Sequence, residues 1–213
     1  QAIALAIDRE SLTLLFDGRA EPAPGILPNN VPFSGEPTAP FRYDLDAAKA
    51  SMAASSIPGG ASLELLTDAG GATMGQVIAA QLAEIGLDVT ITVVDNGTLF
   101  ARAASGDFDL EINGNVATSP TALDPIVATQ VIDWYFTGMS ADLAADDIAA
   151  ALATTDDATR TELVSSIQDQ LVLEAGNIGL VTVDSIYAVK PNIVGFSPFP
   201  YLRWYPQNVS VTS

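Results

Sequence analysis

Three consecutive segments between residues 62 and 93 constrain the fold of this chain more than any other feature. A strand-like run at 62–67 is followed by apolar residues at helical spacing over 77–85 and by strict alternation of apolar and polar residues over 88–93. Helical spacing repeats every 3.6 residues and strand alternation every two, so the order is strand, helix, strand. Such a unit pairs its strands in parallel through a right-handed crossover. The pattern predicts an at least partly parallel sheet with a helix on one face.

Flanking segments extend this pattern to an α/β fold, a mixed β-sheet flanked by helices. Asp8 is a predicted N-cap of a helix that buries Leu12, Leu15 and Phe16 and ends at Gly18, and Asp44 is a predicted N-cap of the next helix. The other predicted elements are helices at 1–7, 98–105, 126–136, 142–154 and 158–175, and strands at 108–112, 178–183, 186–189 and 193–196.

Residues 20–41 form a proline-rich arm between the helix capped by Asp8 and the helix capped by Asp44. Its prolines stand at Pro22, Pro24, Pro28, Pro32, Pro37 and Pro40. Proline lacks an N–H group and restricts the preceding residue, so no long helix or strand is expected here. An irregular stretch of this length is uncommon unless it packs on something. We expect it to pack on a part of the protein outside this chain.

Composition excludes several classes of function. The 213 residues contain no cysteine and no histidine, which removes disulfides, Cys/His zinc sites and histidine-based catalytic triads. A net charge of −18 repels phosphate backbones, so nucleic acid is not expected as a partner. The aspartates lack the spacing of a calcium loop and are interpreted as helix caps and solvated surface. No cofactor, metal site or catalytic residue is predicted.

Four short motifs, in matching order, resemble one protein family. They are ALAIDRE at 4–10, YDLDAAKA at 43–50, QLAEIG at 81–86 and GDFDL at 106–110. Together they resemble the C-terminal lobe of the family-5 extracellular solute-binding proteins, the dipeptide, oligopeptide and nickel receptors of ABC importers. The second motif departs from the family pattern, because Leu45 stands where a proline is usual.

This resemblance implies the architecture and the partners. Residues 1–213 would be a periplasmic-binding-protein-like lobe of type II, with the N-terminal lobe outside this sequence. A small molecule or peptide would be held between the lobes of a monomer and delivered to ABC transporter permease subunits, without covalent chemistry. The expected location is extracellular or periplasmic, with the protein anchored as a lipoprotein on the outer face of the membrane.

The loop after the predicted strand at 108–112 is the expected ligand-binding segment. The candidate residues are Asn113, Asn115, Thr118, Ser119 and Asp124. In the family this loop commonly carries a Trp and, in peptide receptors, an Asp that holds the peptide amine. Here it has no Trp, and Asp124 matches the Asp-Pro pair that closes the family loop. Amides and hydroxyls both donate and accept hydrogen bonds, which suits a neutral polar ligand.

Other interpretations of the sequence remain open. Asn, Ser, Thr and Pro are also ordinary loop formers, so the candidate loop could be purely structural. A stand-alone acidic α/β hydrolase would hold two facing carboxylates in a cleft. A structural surface module would present no concave polar loop.

Overall fold

The computed structural model describes residues 1–23, 25–28, 31–35, 37, 42–114, 140, 142–174, 176–198 and 206–212. The helices are α1 (Ala2–Ala6), α2 (Arg9–Thr13), α3 (Leu45–Ala53), α4 (Ala72–Ala83), α5 (Asn96–Ser105), α6 (Ala145–Ala153) and α7 (Asp157–Glu174). The strands are β1 (Ala20–Pro22), β2 (Ala61–Thr67), β3 (Leu87–Val93), β4 (Leu110–Ile112), β5 (Val181–Val183), β6 (Ile193–Val194) and β7 (Ser210–Val211). Within these residues, no helix is both long and apolar enough to cross a membrane.

The largest described sheet is parallel and has the order β3-β2-β4. β2 pairs with β3 along its full length and with β4 over its last three residues. β1–β5 and β6–β7 are antiparallel pairs in separate two-stranded sheets. The predicted α/β class is therefore confirmed. The strand predicted at 186–189 is wrong, because those residues lie in irregular chain outside any ladder.

Aspartates cap several of the described helices, and three of them stand before α2, α3 and α5. Asp8 Oδ1 accepts from the Glu10 and Ser11 backbone N–H groups, at 3.1 and 3.4 Å. Asp44 and Asp95 accept in the same way from the third residue after them. Each carboxylate satisfies N–H groups that a helix start leaves without an intrahelical partner.

A first hydrophobic cluster lies between one face of the parallel sheet and helices α1 to α4. Its buried members include Leu12, Leu65 and Leu82. The prediction that α2 also buries Leu15 is wrong, since 38% of that residue is exposed. The α-helix ends at Thr13, a 3₁₀ turn follows, and Asp17 and Gly18 take positive φ. The chain therefore turns away before a second apolar helical turn forms.

A second hydrophobic cluster joins the described part of the proline-rich arm to α6 and α7. Leu27 and Val31 from the arm pack with residues such as Ile148 and Ile167 from the two helices. Gln168 of α7 is fully buried, accepts from the Leu27 backbone N–H at 3.3 Å and donates to the Ser34 carbonyl. The expectation that the arm packs outside this chain is therefore corrected for these residues. Apolar side chains between the prolines supply a packing surface, and the prolines prevent only regular helix or strand, not packing.

Arg9 links the beginning of the chain to the segment after α7. Its Nε donates to the Gly179 carbonyl at 2.7 Å, and its Nη1 donates to the Ala4 carbonyl at 3.3 Å. Burial lowers the pKa of the guanidinium. The β1–β5 ladder lies beside this contact and joins the same two segments. Both links hold the two hydrophobic clusters together.

Candidate functional site

The three parallel strands end at one edge of the sheet, which places three chain segments side by side. β2 leads to Asp68, β3 leads to Asp95 and β4 leads to Asn113. The Val94 N–H donates to the Thr67 carbonyl at 2.9 Å, so pairing continues to this edge. In open α/β sheets, ligands bind outside the carboxyl ends of the strands. This carboxyl edge, defined by residues 67–71, 94–95 and 111–114, is the candidate site.

A tight turn connects β2 to α4 at the carboxyl edge. Asp68 Oδ1 accepts from the Gly70 and Gly71 backbone N–H groups, at 2.8 and 3.0 Å. A Cβ atom on Gly71 would lie 2.1 Å from Thr67 Oγ1, so a larger residue here would displace the buried Thr67 side chain. α4 then starts without a side-chain cap, and its first turn directs the positive end of the helix dipole towards this edge.

Asn113 and Glu111 form a polar pair at the end of β4. Asn113 is exposed, and its side-chain amide acts to lower the pKa of the Glu111 carboxyl. Burial has the larger effect and raises the Glu111 pKa. Glu111 Oε1 is buried and has no hydrogen-bond partner among the described residues. Any interaction with the Asn113 amide therefore involves at most the other carboxylate oxygen.

The structure describes only part of the predicted site. Asn113 lies at the carboxyl edge, as the sequence predicts. Asn115, Thr118, Ser119 and Asp124 lie outside the described residues, as does the helix predicted at 126–136. Sequence reasoning missed Glu111 and the turn at 68–71. A glutamate between Leu110 and Ile112 indicates one polar position on an apolar strand, which is ordinarily interpreted as a solvent-facing residue.

Carboxylates elsewhere are engaged in helix capping and packing. Asp156 accepts from the Thr159 N–H at 2.8 Å, and this bond lowers its pKa. Asp147 joins α6 to α7 by accepting from Ser166 and Gln170, each at 2.8 Å. Across the ranges that the structure describes, no three acidic side chains converge as a metal site would require.

A crevice beside Arg9 is separate from the carboxyl edge. Its lining includes Gly25, Val172 and Gly179, and its volume is about 20 Å³. That volume is room for about one water molecule. A peptide or sugar does not fit into a crevice of this volume.

Comparison with protein families gives one match over most of the chain. Residues 1–130 match the model described as bacterial extracellular solute-binding proteins, family 5 Middle. This range includes the sheet, Glu111 and all five predicted ligand-binding residues.

Curated relatives and solved structures show similarity along nearly the whole chain. A glutathione-binding protein of Salmonella paratyphi A is 28% identical over 217 residues, covering 94% of this chain and 42% of the relative. The dipeptide binding protein from Pseudoalteromonas sp. SM9913, solved with Met-Leu, superposes with a TM-score of 0.86 at 17% identity over 99% of this chain and 44% of its own. HbpA2 from Haemophilus parasuis gives 0.80 at 16% identity, over 100% of this chain and 44% of its own. The chain therefore spans less than half the length of these proteins.

Proposed function

Since the chain belongs to the bacterial extracellular solute-binding proteins of family 5, we propose that it captures a small solute for an ABC importer. The family-model match over residues 1–130, which contains the whole carboxyl edge, is the observation that carries this proposal. Proteins of this family are solute-binding proteins that act outside the cell or in the periplasm. Their function favours solute binding over the acidic hydrolase and the structural module.

The chain would supply one lobe of a two-lobed receptor. It covers 42% of the glutathione-binding relative, so more than half of a comparable receptor would lie outside it. A solute at an open sheet edge is desolvated fully only when a second surface covers it. Hinge closure of the two lobes would bury the solute, and the closed monomer would then dock on permease subunits. Lipid anchoring to the outer face of the cell membrane belongs to the same proposal.

Peptide-like solutes are the class that the relatives support best. The curated relatives are named as glutathione-binding, and one structural neighbour was solved with the dipeptide Met-Leu. The carboxyl edge offers acceptors at Glu111 and Asn113 and the positive end of α4. A solute with both N–H donors and a carboxylate matches this combination.

The direct test identifies the solute that the receptor carries. Native mass spectrometry of the complete receptor containing this chain, purified without refolding, should show a bound mass in the peptide range. Calorimetry with glutathione, dipeptides and sugars should then give binding to the receptor, and much weaker binding to the 213-residue chain. Micromolar binding to the chain alone would contradict the two-lobed proposal. Failure of every solute to bind the receptor would contradict the function.

The loop residues Asn113, Asn115, Thr118, Ser119 and Asp124 are proposed to contact the solute. Replacing Asn115 with alanine in the receptor should weaken solute binding about five- to 150-fold, the effect of removing a hydrogen bond of roughly 1 to 3 kcal/mol. The melting temperature should stay unchanged. A lowered melting temperature with unchanged affinity would indicate a turn-forming role instead.

A further inference from the structure

Glu111 lies on the opposite face of the sheet from the first hydrophobic cluster. Its neighbours Leu110 and Ile112 pack against that cluster, and successive side chains of a strand point to opposite faces. Across the parallel ladder, Glu111 pairs with Leu66, which is fully buried. Glu111 therefore lies next to a leucine that is inaccessible to solvent, and it is the second-to-last residue of the strand.

A second glutamate on this face, Glu64, differs from Glu111 because its carboxylate is hydrogen-bonded to an arginine. Glu64 precedes Leu66 by two residues and forms two bonds with Arg102 of α5, at 2.6 and 3.2 Å. The hydrogen bond from Arg102 holds the Glu64 pKa below its ordinary value. Arg102 also bonds Asp107, at 2.8 Å. This arginine is thus engaged with two other carboxylates.

Glu111 has no comparable partner within the described part of the chain. Its Oε1 is buried without a hydrogen bond, and no ion pair with an arginine or lysine is formed there. Buried carboxylate oxygens are normally satisfied, because an unmade hydrogen bond to a charged group is costly. The unbonded Oε1 atom of Glu111 lies at the carboxyl edge of a parallel sheet, which is where ligands bind in such folds. The missing donor is therefore expected to come from the ligand.

We propose that Glu111 accepts hydrogen bonds from a positively charged ammonium group of the solute. The inference rests on the proposed function and adds a specificity residue to it. The side chain as a whole is only partly buried, and the terminal torsion of glutamate is broad. Rotation about that bond exchanges the two oxygens, so either one can leave the buried position. Asn113, whose amide interacts with the same carboxyl, would contact the solute next to the ammonium.

The experiment combines two probes with two proteins. Glutathione carries an ammonium group, whereas N-acetylglutathione replaces it with a neutral amide. Both are titrated by calorimetry into the complete receptor and into its Glu111→Gln variant, which preserves side-chain shape and removes the charge. Glu84→Gln, an exposed glutamate at the end of α4, removes the same charge away from the edge and serves as the control.

Wild-type receptor should prefer glutathione, and Glu111→Gln should weaken its binding about ten- to 150-fold, the effect of losing a charged hydrogen bond. N-acetylglutathione should bind both proteins equally, and Glu84→Gln should bind both probes as wild type does. Equal weakening of both probes in Glu111→Gln would assign the residue a structural role and overturn the inference. Unchanged glutathione affinity would overturn it too. A wild-type receptor that binds neither probe would also overturn the inference. The calorimetric screen with dipeptides and sugars tests the proposed function separately.

Discussion

Glu64 and Glu111 are chemically identical side chains with opposite environments on one face of the sheet. Arg102 lowers the pKa of Glu64, whereas burial raises the pKa of Glu111 above its ordinary value of 4.5. A raised pKa means that the folded state resists ionisation of the carboxyl. Glu111 therefore does not destabilise the folded protein at a pH below the pKa that this carboxyl has in the unfolded state. The protein loses stability as the pH rises from there through the higher pKa of the folded state.

Replacing Glu111 with glutamine should remove this ionisation cost. The variant should melt above wild type at pH 7, and the difference should shrink as pH falls towards about 4.5 and vanish below it, where the carboxyl is protonated in both states. Thermal melts of the 213-residue chain at pH 4 and pH 7 measure the effect. Glu84→Gln, measured in parallel, accounts for the change in net charge. A Glu111→Gln variant that melts below wild type at pH 7 would show that the ionised carboxylate stabilises the fold.

Helix α7 organises the proline-rich arm through one buried side chain. Gln168 is fully buried and bonds two backbone groups of the arm, the Leu27 N–H and the Ser34 carbonyl. The Arg160 guanidinium also lies over the ring of Phe33 in the arm, with its Cζ atom 5.1 Å from the ring centre. These contacts hold an otherwise irregular segment against the helix.

Replacing Gln168 with alanine should destabilise this attachment. Two backbone groups lose their hydrogen bonds to Gln168, which costs about 2 to 4 kcal/mol in the free energy of unfolding. The melting temperature should fall by roughly 5 to 10 °C, and protease cleavage within residues 25–37 should accelerate. Glu162→Ala, on the exposed face of the same helix, should change neither quantity appreciably. Equal stability of the two variants would show that apolar packing alone holds the arm.

The turns at the amino end of the parallel sheet approach each other closely at two glycines. Gly60 has φ of +90°, and a Cβ atom there would lie 2.0 Å from the Gly86 carbonyl oxygen. Gly59 has no atom within 4 Å of its own Cβ position. Alanine at Gly60 should therefore cost more than about 2 kcal/mol, and alanine at Gly59 less than about 1 kcal/mol. Urea unfolding of both variants compares these free energies, and similar values would contradict the close approach.

At the scale of the whole molecule, the described residues form two hydrophobic clusters, and the chain carries a strongly acidic charge. Arg9 and the β1–β5 ladder link the clusters at the junction between the start of the chain and the segment after α7. The formal charge of −18 comes from 26 acidic and 8 basic residues. Repulsion among the carboxylates therefore opposes the compact state.

Moderate salt should raise the melting temperature of the chain. Sodium chloride at physiological ionic strength screens charges beyond about 8 Å, which weakens repulsion across the surface more than it weakens contact ion pairs. Calorimetric melts in low and moderate sodium chloride measure the sign. A fall in melting temperature would show that specific pairs, such as the one between Arg102 and Glu64, outweigh the net charge.

Local chemistry accounts for most elements that the sequence predicted correctly. The N-caps at Asp8 and Asp44, the parallel unit from β2 to β3 and the long helix α7 follow from hydrogen-bonding capacity and apolar spacing within short segments. The same spacing was insufficient at Leu15 and at 186–189. Whether an apolar side chain becomes buried there depends on where the chain turns and what lies opposite.

The sequence by itself determined the fold class, the family resemblance and the position of Asn113 at the end of a strand. Only the tertiary structure decided that the arm packs on α7, that Arg102 pairs with Glu64 and that Glu111 Oε1 is buried without a donor. Each of these contacts joins residues from different elements or depends on what surrounds a side chain. Periodicity and capping report on neighbours along the chain, whereas burial and pairing are set by which elements meet in space.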